Sequence, residues 1–103
     1  MADQKVAIEL VKRYVEQCLE RNIRFQKVIL FGSTIKGNAH EYSDIDVLLV
    51  SDQFTDNSLD NWKILAPVTA KNFDIEPHPY PTASFKKGDP FLEEVLQTGV
   101  EVI

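Results

Sequence analysis

Residues Leu30–Val50 read LFGSTIKGNAHEYSDIDVLLV. The stretch opens apolar, breaks at Gly32-Ser33, and closes on DIDVLLV, an apolar run carrying two aspartates. In a strand, alternate residues face one side, so Asp44 and Asp46 project together while Ile45 and Val47 turn to the core. Two carboxylates so placed repel, and one pKa rises unless they share a counter-charge. No basic residue stands beside them in sequence. Oxygen donors of this kind suit Mg²⁺ or Mn²⁺.

Upstream, Gly32 permits close backbone approach, and Ser33 offers a hydroxyl and an amide at the start of an expected short helix, where an anion is favoured. If the two strands are neighbours, an anion site lies beside a metal site. That pairing suits a metal-chelated triphosphate. A Gly-Ser pair alone is a common turn, and an Asp-x-Asp alone is a common solvated edge. Ten residues separate Ser33 from Asp44, with apolar strands on both sides, and the combination is far more specific than either part.

Outward from this segment the periodicities alternate. Residues 3–21 repeat apolar positions at three and four, from Val6 through Leu10, Val11, Tyr14, Val15, Cys18 and Leu19, which predicts an amphipathic helix that Asp3 could cap. Residues 25–31 and 44–50 read as strands. A short helix is expected over 33–37 and a polar loop over 38–43. Residues 56–69 predict a helix with Leu59, Trp62, Leu65 and Ala66 on its inner face, kinked or ended by Pro67. Residues 73–78 predict a strand cut by Pro77 and Pro79, followed by a loop over 79–89. Asp89, Pro90 and Gly99 punctuate a last helix, and VEVI supplies a terminal edge strand. The order implies an α/β (α+β) domain: a small mixed sheet of three to four strands with flanking helices, spanning 1–103 as one unit.

The bulk numbers restrict function. The 103 residues carry a formal charge of -5, which disfavours electrostatic binding to nucleic acid or an anionic membrane. Residues 1–52 hold 7 basic and 8 acidic side chains, residues 53–103 hold 4 and 8, so most cations that could meet a phosphate lie in the first half. The single cysteine, Cys18, allows no internal disulfide and fits a reducing cytoplasm. No apolar run is long enough to span a membrane, and no secretory leader is visible.

The stretch GSTIKGNAHEYSDIDVLLV resembles the signature of the nucleotidyltransferase superfamily related to DNA polymerase β: Gly-Ser, ten residues, Asp-x-Asp. The short chain resembles its minimal nucleotidyltransferase (MNT) branch, and DPFLEEVLQTGVEVI is similar to that branch's ending, so the likeness covers nearly the whole chain. The resemblance implies the nucleotidyltransferase fold and a Mg²⁺- or Mn²⁺-dependent enzyme that moves a nucleoside monophosphate from ATP or another NTP to a hydroxyl, releasing pyrophosphate. It implies that Asp44 and Asp46 hold metal and that Gly32 and Ser33 hold the triphosphate. A third carboxylate on a following strand completes such sites, often as general base. Asp74 and Glu76 are the candidates; spacing back from Phe85, by the same resemblance, favours Glu76, although aspartate is the usual residue.

Other residues have competing readings. Lys36 could reach a phosphate or simply be a surface lysine, and Ser43 could join the site or hydrogen-bond locally. His78, two residues past Glu76, could line the site or satisfy a turn. His40 is expected exposed in its loop. Trp62 and Phe73 are expected in the core. Larger relatives carry an added acceptor-binding domain for which these 103 residues leave no room, so a partner protein is expected to present the acceptor. Stand-alone MNT proteins resemble antitoxins paired with all-helical HEPN proteins, in a homo- or hetero-oligomer. The alternatives are a weakly active or inactive antitoxin acting by contact, and a small-molecule (aminoglycoside-type) nucleotidyltransferase.

Overall fold

The computed structural model describes residues 4–32 and 44–103. The expected short helix over 33–37 and the loop to 43, and with them Ser33, Lys36, His40 and Ser43, lie outside the described residues, as does Asp3. Eight elements follow in order: α1 (Gln4–Glu20), β1 (Lys27–Phe31), β2 (Ile45–Ser51), α2 (Ser58–Thr69), β3 (Ile75–Pro81), α3 (Thr82–Lys87), α4 (Pro90–Thr98) and β4 (Val100–Glu101). They build one four-stranded mixed sheet in the order β3-β2-β1-β4. β1 runs antiparallel to both β2 and β4, and β2 runs parallel to β3.

One face of the sheet carries Val28, Leu30, Ile45, Val47 and Leu49, and α1 and α2 cover it. α1 buries Ala7, Val11, Tyr14 and Cys18, a run at helical spacing, while Val6 and Leu19 at the margins of the predicted stripe stay exposed. Removing aliphatic side chains of this kind from water is the main stabilising contribution, about 1.5–3 kcal/mol for each one fully buried. The Tyr14 and Thr69 hydroxyls bond at 2.8 Å and tie α1 to α2. Burial pushes the Cys18 thiol up to about 12 and raises Tyr14 as well.

The opposite face carries Ile29, Phe31, Leu48 and Val50 under Leu92 and Val95 of α4, with Tyr80 and Phe85 at the side. α4 begins as its sequence predicts: the Asp89 carboxylate accepts the Leu92 N–H at 2.8 Å and Pro90 opens the helix. Gly99 serves close packing rather than a left-handed turn. Its φ is -80°, and a Cβ there would stand 2.6 Å from Ile29 Cγ2 and 2.6 Å from the Val95 carbonyl.

Three expectations need correction. α2 buries Asn61, Leu65 and Val68, while Leu59 and Trp62 face outward. Asn61 earns its interior place because its amide brackets Thr55, accepting the Thr55 N–H at 2.9 Å and donating to the Thr55 carbonyl at 2.8 Å. Pro67 sits inside α2 but in its last turn, so the helix ends two residues later. Phe73 is likewise outside the core, at 83% exposure.

The third correction concerns β3, which continues through Pro77, Pro79 and Pro81 and passes into α3, where a loop was expected. The Asp74 carbonyl accepts the Ile45 N–H at 2.8 Å, so even-numbered residues turn their backbone polar groups toward β2. The prolines occupy odd positions, facing the open edge, where a missing N–H costs no ladder bond.

Candidate active site

The register between β2 and β3 decides which side chains meet. Asp46 pairs with Glu76, and Phe31 of β1 pairs with Asp46 from the other side. Paired residues in adjacent strands share a face. Phe31, Asp46 and Glu76 therefore form a row across the sheet, next to the row Leu48–His78. This is the α4 face, at the end where β1 stops and β2 begins.

Asp46 is partly buried, its side chain 24% exposed. Its Oδ1 lies 3.2 Å from His78 Nε2. An ionised carboxylate only accepts, so the imidazole donates. Asp46, Glu76 and His78 each bring one ligand atom within 4.8 Å of the other two. Two carboxylates at that separation fit a divalent cation, while the imidazole nitrogen that donates to Asp46 is not free to ligate it. Desolvation and the facing Asp46 charge raise the Glu76 pKa from its ordinary value, with Asp44 adding to the effect and His78 opposing it.

Asp44 is exposed and stands one residue before β2. By strand alternation it shares the face of Asp46, and its charge reaches Glu76. It is not one of the three clustered groups. Asp74, also exposed, precedes β3, where its carbonyl anchors Ile45. Continuing the register places it opposite Asp44, one row beyond the Asp46–Glu76 pair.

Gly32 closes β1 with φ +86°. A side chain there would run into the Asp46 carboxylate, reaching Oδ2 first, and would lie 3.1 Å from Cγ. Glycine is therefore required twice, by the left-handed backbone and by the space Asp46 occupies.

The rim of the site is aromatic. The Phe31 and His78 rings lie 5.1 Å apart, Phe31 and Phe91 5.5 Å, and His78 and Phe91 6.3 Å between centroids. Tyr80 stacks on Phe91 at 6.2 Å. His78 had two open readings in sequence. The structure places it against Asp46, and the signal that points there is its even-numbered position, shared with Glu76 on a strand whose odd positions after Ile75 are prolines.

The result is a carboxylate pair, Asp46 and Glu76, on neighbouring central and edge strands, with a glycine backed against Asp46. The nucleotidyltransferase domain family matches residues 11–100, and the chain belongs to that family. It is 28% identical over 67 residues to a proposed protein adenylyltransferase of Methanocaldococcus jannaschii, a match covering 64% of this chain and 46% of that protein. The chain thus spans about half the length of that curated relative. Among solved structures, a proposed nucleotidyltransferase of Sulfolobus solfataricus superposes with a TM-score of 0.65 at 22% identity, over 91% of this chain and 77% of that one. A chain from a toxin–antitoxin complex with AMP-PNP gives 0.61 at 22% identity, over 89% and 72%. A chain from the Shewanella oneidensis complex of a tri-AMPylated HEPN toxin with its MNT antitoxin gives 0.56 at 18% identity, over 97% and 71%. The expected nucleotidyltransferase fold and the likeness to MNT/HEPN pairs are both found. No described helix is long and apolar enough to cross a membrane.

Proposed function

We propose that this chain is a metal-dependent adenylyltransferase that moves AMP from ATP to a hydroxyl on a helical, HEPN-type partner protein. The observation that carries the reading is the Asp46–Glu76 pair, juxtaposed by strand register with His78 alongside. The likeness to a proposed protein adenylyltransferase and to a chain of a toxin–antitoxin complex with an AMPylated toxin supports the substrate and the partner.

In this reading Asp44, Asp46 and Glu76 would hold Mg²⁺ or Mn²⁺, and Gly32, Ser33, Lys36 and Ser43 would bind the nucleotide phosphates. When bound, the cation neutralises phosphate charge and polarises the α-phosphoryl group. The acceptor oxygen forms a bond to the α-phosphorus, the bond from that phosphorus to the leaving phosphate oxygen breaks, and pyrophosphate departs. Glu76, which lies opposite Asp46, accepts the hydroxyl proton. Asp74 is the alternative third carboxylate, but Glu76 is the one opposite Asp46. The single unit 1–103 carries all of these groups.

The test mixes the protein with Mg²⁺, labelled ATP and whatever helical protein co-purifies with it. Label on the partner is expected. Asp44→Asn with Asp46→Asn should lower transfer on the order of 10³-fold without loss of thermal stability. Retained transfer in that double variant sinks the metal assignment. The second reading, an antitoxin acting by contact, is favoured by the antitoxin complexes among the structural neighbours. It predicts that the same double variant still neutralises the partner.

A further inference from the structure

We propose that His78 is a positioning residue that fixes the Asp46 carboxylate for metal binding; this rests on the function proposed above. His78 does not face Asp46 directly. Its register partner is Leu48, and Asp46 is paired with Glu76. The imidazole instead reaches back one diagonal step, and its Nε2 donates to Asp46 Oδ1 at 3.2 Å. Diagonal neighbours across a sheet are within reach of aromatic side chains.

The ring is itself held. Phe31 packs on it at 5.1 Å and 60°, and Phe91, from the first turn of α4, at 6.3 Å and 43°. Three elements thus set the orientation of one N–H: β1 through Phe31, α4 through Phe91, and β3 through its own backbone.

The two oxygens of Asp46 consequently have different surroundings. Oδ1 accepts from His78, while Oδ2 fills the space that a side chain at position 32 would occupy. A freely rotating carboxylate would have to be ordered when a cation binds. Here a donor on Oδ1 sets the rotamer beforehand, and the missing Cβ at position 32 leaves room for Oδ2. Outer partners of this kind orient metal ligands, and losing one typically lowers metal affinity about 10–100-fold.

Two variants separate the hydrogen bond from the packing. His78→Phe keeps an aromatic ring between Phe31 and Phe91 and removes the donor. His78→Gln loses the ring and keeps an N–H near the same reach. Binding of Mn²⁺ alone to the purified protein is read by electron paramagnetic resonance of the free ion, with a denaturation midpoint for each variant. The expected result is weakening by about 10–100-fold in His78→Phe and near wild-type binding in His78→Gln. In an Asp46→Asn background, His78→Phe should add no further loss, because the residue acts through Asp46.

Wild-type Mn²⁺ binding in His78→Phe overturns the inference while leaving the proposed function standing. Equal weakening in both variants also overturns it, since packing would then be the whole contribution. If His78→Phe does not fold, His78→Leu takes its place: weakened binding there beside retained binding in His78→Gln supports the donor role, and retained binding in both refutes it. A wild-type protein that binds no Mn²⁺ removes the metal site itself, and the inference falls with the proposed function.

Discussion

The two faces of the sheet solve different problems. The face under α1 and α2 is closed and almost wholly apolar, with Val28, Leu30, Val47 and Leu49 inaccessible to solvent. The face under α4 is closed only over Ile29, Leu48 and Val50, and its open end carries Asp46, Glu76 and His78. Both faces are drawn from the same strands, residue by alternate residue. Stability is concentrated on the first face. On the second, like charges stand together, a cost that the fold tolerates and that a bound cation would relieve.

Truncation on the closed face should give the largest effect. Leu30→Ala removes a fully buried side chain, and a loss of about 2–5 kcal/mol is expected from chemical denaturation. A loss as small as that of an exposed position would break the contrast between the faces. Gly32→Ala tests the junction between them. It forces a Cβ onto a left-handed backbone and into the Asp46 carboxylate, so a loss of about 1–3 kcal/mol is expected, together with weaker Mn²⁺ binding. Loss of stability with unchanged metal binding would separate Gly32 from the site.

The faces should also differ in their response to pH. Burial raises the Cys18 thiol to about 12, against roughly 8.5 in an unfolded chain. The native state therefore binds that proton more tightly. Its contribution is fully present below about pH 8.5 and is lost as pH rises toward the folded value. The closed face should weaken in alkali, seen as a falling denaturation midpoint, and Cys18 should react with thiol reagents only on unfolding.

Glu76 gives the smallest effect, at the opposite end of the pH scale. Its folded pKa is raised by desolvation and by Asp46, so its contribution is present below the unfolded value of about 4.3 and declines as pH rises through the folded value. In metal-free buffer at neutral pH, Glu76→Gln should leave the midpoint unchanged or slightly higher. A clear drop would mean that Glu76 makes a stabilising contact, and that the repulsion inferred for the open face is absent.

Much of this was legible from residue order. The periodicity of α1, the boundaries of α4 and the apolar runs of β1 and β2 are local properties, and backbone geometry turns them directly into elements. Alternation alone puts Asp44 and Asp46 on one side of β2. The inner face of α2 was misread because Leu59 and Trp62 are large and apolar, whereas the buried position belongs to Asn61, whose amide is satisfied by Thr55. Nothing in the spacing of α2 reveals that bond, because its partner lies in the preceding turn. Likewise, Pro77 and Pro79 argue against a long strand only until the direction of the edge is known.

The sequence by itself determined which residues could do chemistry: the glycine at the strand end, the paired aspartates, and two acidic candidates in FDIEPH. Only the tertiary structure decided which of them meet. Pairing Ile45 with Ile75 sets Glu76 against Asp46, leaves Asp74 one row out and swings His78 onto Oδ1. The physical reason is that strand register is a contact between segments about thirty residues apart, fixed by burial of the alternate face. A one-residue slip would send Glu76 into the apolar core, and no short stretch of sequence carries that information alone.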